Sequence, residues 1–432
     1  MIKIATSLLI ALLSFVLNLI PPYRSAEDWI KHQIPPSIVY VPSALATYPF
    51  KAKTSKEVQE VKARAGGYLK GVCHANDNYK QIAASGIEWN RADIPFPFEK
   101  NGKIRQSYQE WKARMKRFNN AGIKIFAVTP YPKDYIEFGV DPRKPENEAR
   151  VKEIARFLLK DLKGLIGAIQ VSNELTLPRF ALPLTFEECI RFLGMNLEAM
   201  YPVRGNVIIG YNSSGPQADE HAAMQPYYKY CDYIGLDLYL GCFAAIGNWI
   251  WLFDTMLDYM WSFTGKPIIM TEFGYIGDGA PKTEAEKTAL LKKYGASSEA
   301  EARKDIKKFV AKLPQRLRDQ VYNNASGDWG DYLFGSTSDM KLHLYKEMPE
   351  NVVIKGYPHT PEGQAKFYSV MLPKLEKKKY LIGSFIYCYS DSEYCYVCGQ
   401  PDCPIETRWG LVYRDGTPKP AYYTVQKLWA KK

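Results

Sequence analysis

The chain has 432 residues, of which 46% are apolar and 24% charged, with a formal net charge of +11. That balance describes a globular protein with a sizeable core and excludes a disordered or collagen-like chain. The length fits two or three average domains, or one large α/β barrel with insertions. Lys and Arg alternate with Glu and Asp along segments such as EARVKEIARFLLKDLKGL (148–165). This is the pattern of solvated helix faces, and it speaks against a nucleic-acid partner despite the basic sum.

At the N-terminus, Lys3 precedes IATSLLIALLSFVLNLI (4–20), an uncharged run closed by Pro21-Pro22. The run is long for a signal-peptide core and short for a membrane span. The PYRSAEDW that follows has no clean small-x-small cleavage site. The expectation is an extracytoplasmic protein, either secreted or held by an uncleaved N-terminal membrane tether. Lys3 would then keep the N-terminus inside. Residues 21–65, rich in Pro, Ala and Lys, read as a stalk or an N-terminal arm.

From residue 66 onward, strand-like and helix-like segments alternate. The strand candidates are YLKGVCHA (68–75), GIEWNRAD (86–93), IKIFAVT (123–129), GAIQVSNE (167–174), NVIIGYN (206–212), YIGLDLY (233–239), PIIMTE (267–272) and LIGSFIYC (381–388). Most are short apolar runs with β-branched content, as parallel strands buried on both faces require. Thr185 and Glu188 form a capping-box signature, and Thr360-Pro361-Glu362 supplies a cap, a first-turn proline and an acidic first turn. Gly122 marks a helix stop before the third strand. Eight such repeats, with a terminal helix in AYYTVQKLWA, predict a closed (β/α)8 TIM-type barrel over residues 66–432. The competitor is an open doubly wound sheet, but no Gly-rich phosphate fingerprint follows the first strand.

Residues 276–359 interrupt the repeat between the seventh strand and its helix. They carry a charged helical stretch, EAEARKDIKKFVAKLPQRLRD (299–319). An insertion at this end of a barrel strand lands on the catalytic rim, as a lid, a subsite wall or a plain surface excursion.

Two of the strands, LIGAIQVSNE (165–174) and GKPIIMTEFGY (265–275), run into a glutamate, Glu174 in the fourth and Glu272 in the seventh. A buried carboxylate is costly without partners or a task. The strand ends on this side of a barrel converge on one site, so the two carboxyls are placed to face each other. The alternative is two structural carboxylates, each paired to a helix.

SNE at 172–174 on strand four, with TEFGY at 271–275 on strand seven, resembles the clan A retaining glycoside hydrolases, which are (β/α)8 barrels. The resemblance spans roughly residues 66–430 in layout, through short motifs. It implies Glu174 as acid/base, Glu272 as nucleophile and Asn173 as the residue on the sugar 2-hydroxyl. By the same resemblance Arg91 on strand two and Tyr239 closing strand six lie beside the nucleophile. The implied function is retaining hydrolysis of β-glycosidic bonds in a polysaccharide or oligosaccharide, needing neither a metal nor an organic cofactor. A transglycosylase with the same two glutamates, or an inactive carbohydrate-binding barrel, are the alternatives. The chain departs from the pattern at Tyr387, where many relatives place a tryptophan, and in having no histidine on strand three.

Weaker candidates remain. His74 and Asn76 in CHAND either reach the sugar or hold the loop, and Asp93 either pairs with Arg91 or caps a turn. Trp89, Trp249 and Trp251 are candidates for stacking subsites, although the tryptophans of NWIWLFDTMLDYMW more often belong to a helix face in the core. Asn212 and Asn324 stand in glycosylation sequons.

Of eight cysteines, Cys388, Cys395, Cys398 and Cys403 fall within CYSDSEYCYVCGQPDC. In an exported chain two local disulfides are the expectation, with unspecified connectivity. Four thiolates could instead hold zinc, although no histidine is near them in sequence. Cys189, within a helical stretch, reads as a small buried residue.

Overall fold

A computed structural model describes residues 56–242, 250–279, 281–325, 327–335, 338–348 and 353–430. The uncharged run 4–20, residues 21–55 and Trp249 lie outside the described residues. Eight strands pair in chain order: β1 (Leu69–Cys73), β2 (Trp89–Asp93), β3 (Lys124–Val128), β4 (Ala168–Gln170), β5 (Ile208–Ser214), β6 (Tyr233–Leu238), β7 (Ile268–Phe273) and β8 (Leu381–Ile386). All pairings are parallel, and β8 returns to β1 to close the barrel. The fold is the (β/α)8 barrel that the eightfold alternation predicts.

The apolar runs are explained by burial on both faces. Strands β6, β7 and β8 are buried along their whole length. Inside the barrel, Phe126 of β3 packs against Tyr233 of β6 and Phe385 of β8, with ring centroids 5.7 and 4.8 Å apart. The Phe385 ring lies so close to β1 that a Cβ at Gly71 would stand 2.1 Å from it, so glycine is required there. Each fully buried large side chain of this core contributes on the order of 1.5–3 kcal/mol.

Helix ends follow the sequence signals. Thr185 and Glu188 exchange bonds with each other's backbone N–H at the start of the helix Phe186–Met200. Thr360 caps the helix Pro361–Lys377, and Gly122, at φ 82°, follows the helix Gln106–Asn120 just before β3.

Within the region expected as an arm, Lys56–Ala65 is a helix that buries Val58, Val61 and Ala65. Arg64 binds Asp232 at 2.7 Å and the Val207 carbonyl at 2.9 Å, and Lys266 binds Glu57. Those partners directly precede β6, β5 and β7. The helix therefore lies across the N-terminal mouth of the barrel, opposite the strand ends that carry the glutamates.

Three expectations change. The fourth strand pairs only as far as Gln170, so Glu174 sits on the turn beyond it. The stretch 299–319 is broken into the helices Glu299–Lys304, Ile306–Ala311 and Gln315–Asn324. Asp305, at φ −136° and ψ 65°, leaves the helical region, and its carboxylate accepts from the Lys308 N–H to start the second piece. The expected local disulfides are absent: all eight cysteines are free and buried. Cys388 stands apart, its thiol directed to the Ser390 carbonyl. Cys395, Cys398 and Cys403 instead meet His343, which comes from the segment after β7. Local crowding in sequence was a poor guide because that loop folds against a distant helix. Among the described residues no helix is long and apolar enough to cross a membrane.

Candidate active site

Residues 89, 91 and 93 of β2 share one face by strand alternation. Trp89, at the start of the strand, packs into the core beside Gly167, and Lys124 lies over its ring. Two residues on, Arg91 reaches the level at which β7 presents Glu272. Arg91 Nη1 donates to Glu272 Oε1 at 2.6 Å, and the Tyr239 hydroxyl donates to Oε2. Both carboxylate oxygens are thus held by donors, as a buried anion needs. Burial, then the charge of Glu272, pushes the Tyr239 phenol well above its ordinary range, so it stays protonated and keeps donating.

After Gln170 the chain turns sharply, with Ser172 at φ 54° and Glu174 at φ 45°. Non-glycine residues rarely adopt this left-handed conformation, and it is held here by side chains from neighbouring strands. Thr129 Oγ1 accepts from the Ser172 N–H at 2.9 Å, and Asn212 Oδ1 accepts from the Glu174 N–H at 3.0 Å. Three donors converge on Asn173 Oδ1: Arg91 Nη2 at 2.6 Å, Asn212 Nδ2 at 2.8 Å and Gln170 Nε2 at 3.2 Å. That convergence fixes which end of the Asn173 amide is oxygen and leaves its NH2 as the donor for a ligand.

Glu174 is 6% exposed. Burial, with the charge of Glu272 adding to it, raises its carboxyl to about 7 against the pull of Arg179. Arg179 Nη2 lies 3.6 Å from Glu174 Oε2. One carboxylate therefore has a donor on each oxygen while the other holds a proton near neutrality. That asymmetry separates a nucleophile or base from an acid.

The two glutamates open onto a cleft of about 200 Å³. Its lining includes Arg91, Asn173 and Tyr239 of the expected set, and Tyr387 and His74, whose rings meet edge to face at 5.3 Å. Tyr387 is backed by Trp409, 5.7 Å away, which also packs on Tyr239. Asp93 lines the cleft as well. Asn76 does not: its Oδ1 accepts from the Asn78 N–H within the turn that starts the helix Tyr79–Ala84. Trp89 is in the core, and Trp251 is exposed and away from the cleft.

Several site residues escaped the sequence reading. Asn212, read as a sequon, is 2% exposed and donates to Asp237 Oδ2 at 2.5 Å as well as to Asn173. Asp237 also accepts from Thr271 Oγ1 at 2.6 Å. Strand alternation held the signal for Asp237, which lies two residues before Tyr239 in an otherwise apolar strand. Tyr131, Phe180, Arg179, Tyr396 and Glu406 complete the wall. Tyr131 and Phe180 stack at 5.4 Å, and Arg179 Nη1 donates to the Tyr396 hydroxyl at 2.8 Å. Burial raises the Glu406 carboxyl to about 7.

A scan against protein-family models and a search of curated proteins each give no match. Among solved structures the chain is similar to the GH53 catalytic domain of Ignisphaera aggregans. That match has 15% identity and a TM-score of 0.51, and covers 84% of this chain and 96% of that one. It is also similar to a Bacteroides uniformis β-glucuronidase, at 14% identity and a TM-score of 0.50, over 84% of this chain and 35% of that one. A β-glucuronidase from an uncultured Clostridium sp. matches at 13% identity and a TM-score of 0.50, over 84% and 50%. The chain thus spans between a third and a half of the length of those glucuronidases. At these identities the likeness shows the barrel fold alone.

Proposed function

We propose that the chain is a glycoside hydrolase that cleaves a β-glycosidic bond by double displacement, with retention of configuration. The observation that carries this reading is the unequal treatment of two carboxyls that line one cleft. Glu272 is bonded on both oxygens by Arg91 and Tyr239, while Glu174 is raised to about 7.

In the first step Glu272 attacks the anomeric carbon, and the glycosidic C–O bond breaks as the Glu174 proton passes to the leaving oxygen. The product is a covalent glycosyl–Glu272 ester and a free alcohol. Loss of the negative charge on Glu272 removes one of the two causes that raise Glu174, so Glu174 is more acidic in the intermediate. It then takes a proton from water, the oxygen attacks the anomeric carbon, and the ester bond to Glu272 breaks. Both carboxyls return to their starting states. The NH2 of Asn173, oriented by Arg91 and Asn212, supplies a donor to a sugar hydroxyl. The barrel shared with a β-glucuronidase and a GH53 catalytic domain supports the glycosidase part of this reading and does not bear on the mechanism or the residue roles.

A panel of 4-nitrophenyl β-glycosides, followed by natural glycans, tests the reading. At least one substrate should be hydrolysed, and Glu272→Ala should abolish that hydrolysis. Undiminished turnover of every such substrate by Glu272→Ala would rule the assignment out. The uncharged run 4–20 supports an exported or membrane-tethered enzyme. Recovery of the protein in the soluble cytoplasmic fraction of its source would contradict that.

A further inference from the structure

Three cysteines and one histidine meet at the edge of the candidate site. Cys395, Cys398 and Cys403 follow β8, and His343 sits on the helix Asp339–Tyr345, between β7 and the helix Pro361–Lys377. All four are buried, and one potential ligand atom from each lies within 4.8 Å of the others. His343 Nδ1 is 3.4 Å from Cys395 Sγ and 3.5 Å from Cys403 Sγ. A tetrahedral zinc, with Zn–S near 2.3 Å and Zn–N near 2.0–2.1 Å, would hold sulfur and nitrogen about 3.6 Å apart. The observed spacings have that scale.

The local backbone adds a second observation. Cys395-x2-Cys398 forms a tight turn, with Gly399 following at φ 70°. The Cys398 N–H points to Cys395 Sγ at 3.5 Å, and Gln400 Nε2 points to Cys398 Sγ at 3.5 Å. N–H donors aimed at sulfur are the outer contacts that orient the cysteine ligands of a metal site.

We propose that His343, Cys395, Cys398 and Cys403 bind one Zn2+ as a structural site. Three sulfurs and one imidazole nitrogen in a tetrahedral arrangement select zinc by softness and geometry. Four protein ligands leave no open position, so the metal does no chemistry on substrate. Its effect is mechanical, joining the helices after β7 to the loop after β8. The same two segments are bridged by Lys346 and Asp402 at 2.6 Å, and by Arg316 and the Tyr396 carbonyl at 2.8 Å. Tyr396 lies between two of the ligands in sequence and Glu406 three residues beyond another, and both line the cleft. The metal thereby fixes one wall of the site. The metal claim does not depend on the glycosidase reading.

Metal analysis of the full chain, purified without a metal-affinity step, tests the proposal. About one zinc per chain is expected. Cys398→Ser and His343→Ala should lose it, and Cys388→Ser should keep it. Because a lost ligand can also impair folding, His343→Cys provides a control that should restore metal binding through four thiolates. Protein produced with Co2+ should show the visible bands of tetrahedral cobalt thiolate. A folded wild-type chain that carries no zinc and takes up none when Zn2+ is added after reduction would overturn the proposal. So would a disulfide among Cys395, Cys398 and Cys403 in peptide mapping. Iron in place of zinc would overturn the choice of metal.

Discussion

Arg91 and Glu272 form an ion pair across the barrel, from β2 to β7, at 2.6 Å and with side chains only 4% and 10% exposed. The same guanidinium reaches Asn173 at 2.6 Å and Gln170 at 3.2 Å. One planar, forked cation therefore sets the position of the proposed nucleophile and of the residue before the proposed acid. A lysine has the charge without the fork. Arg91→Lys should fold but lose activity by on the order of 100-fold, a loss in kcat. Arg91→Ala leaves the Glu272 charge unpaired and should cost about 3–5 kcal/mol of stability, read from urea denaturation.

Removing the Tyr239 hydroxyl takes one donor from Glu272 and leaves the ring in place against Trp409. A hydrogen bond to a charged group contributes about 1.5–3 kcal/mol, so Tyr239→Phe should lower kcat/KM by about 10- to 100-fold. Melting temperature should fall by a few degrees, since the same bond contributes to stability. An unchanged kcat/KM would show that the hydroxyl does not act on the reacting carboxylate.

The proton on Glu174 gives the activity a pH dependence of defined sign. With its carboxyl raised to about 7, Glu174 is protonated below that pH and loses the proton above it. The acid needed for the first step is then missing, so kcat/KM should fall as pH rises through about 7. In Glu174→Gln this alkaline limb should disappear. Substrates with good leaving groups should suffer least from that substitution, which a comparison of dinitrophenyl and alkyl glycosides will show.

Asp237 accepts from Asn212 on one oxygen and from Thr271 on the other. Burial, then the charges of Glu272 and Glu174, pushes its carboxyl well up. The folded chain thus binds this proton more tightly than the unfolded chain. The linked stability is retained at low pH and lost as pH rises through the folded-state pKa. Asp237→Asn should therefore fold, because Thr271 can turn its hydroxyl to accept from the new amide. Its urea midpoint should fall less than that of the wild type between acid and mildly alkaline pH. An identical slope for both proteins would contradict this.

How much of this was legible before the structure depended on whether the signal was periodic and local. The strands announced themselves as short apolar runs, two of them running into Glu174 and Glu272, whereas Arg91 and Tyr239 were placed beside the nucleophile by the resemblance, from their positions along a strand. Trp89 shows the limit of that reasoning, since it shares Arg91's face but lies at the opposite end of the strand. Asn212 was hidden by its sequon, although its place in β5 carries it into the barrel. Arg179 and Tyr396 are 217 residues apart and touch only because two loops meet over the cleft. His343 and Cys395, 52 residues apart, join in the same way. No spacing rule within one segment could have paired them.

The central claim is that Glu272 is the nucleophile and Glu174 the acid/base of a retaining enzyme. It is tested most directly by adding azide to Glu272→Ala and to Glu174→Ala with an activated aryl β-glycoside, and reading the anomer of the glycosyl azide by NMR. With the nucleophile gone, azide enters from its face, so Glu272→Ala should give the α-glycosyl azide. With the acid/base gone, azide takes the place of water on the intermediate, so Glu174→Ala should give the β-glycosyl azide. Rescue of neither variant, or the opposite pairing of anomers, would contradict the account.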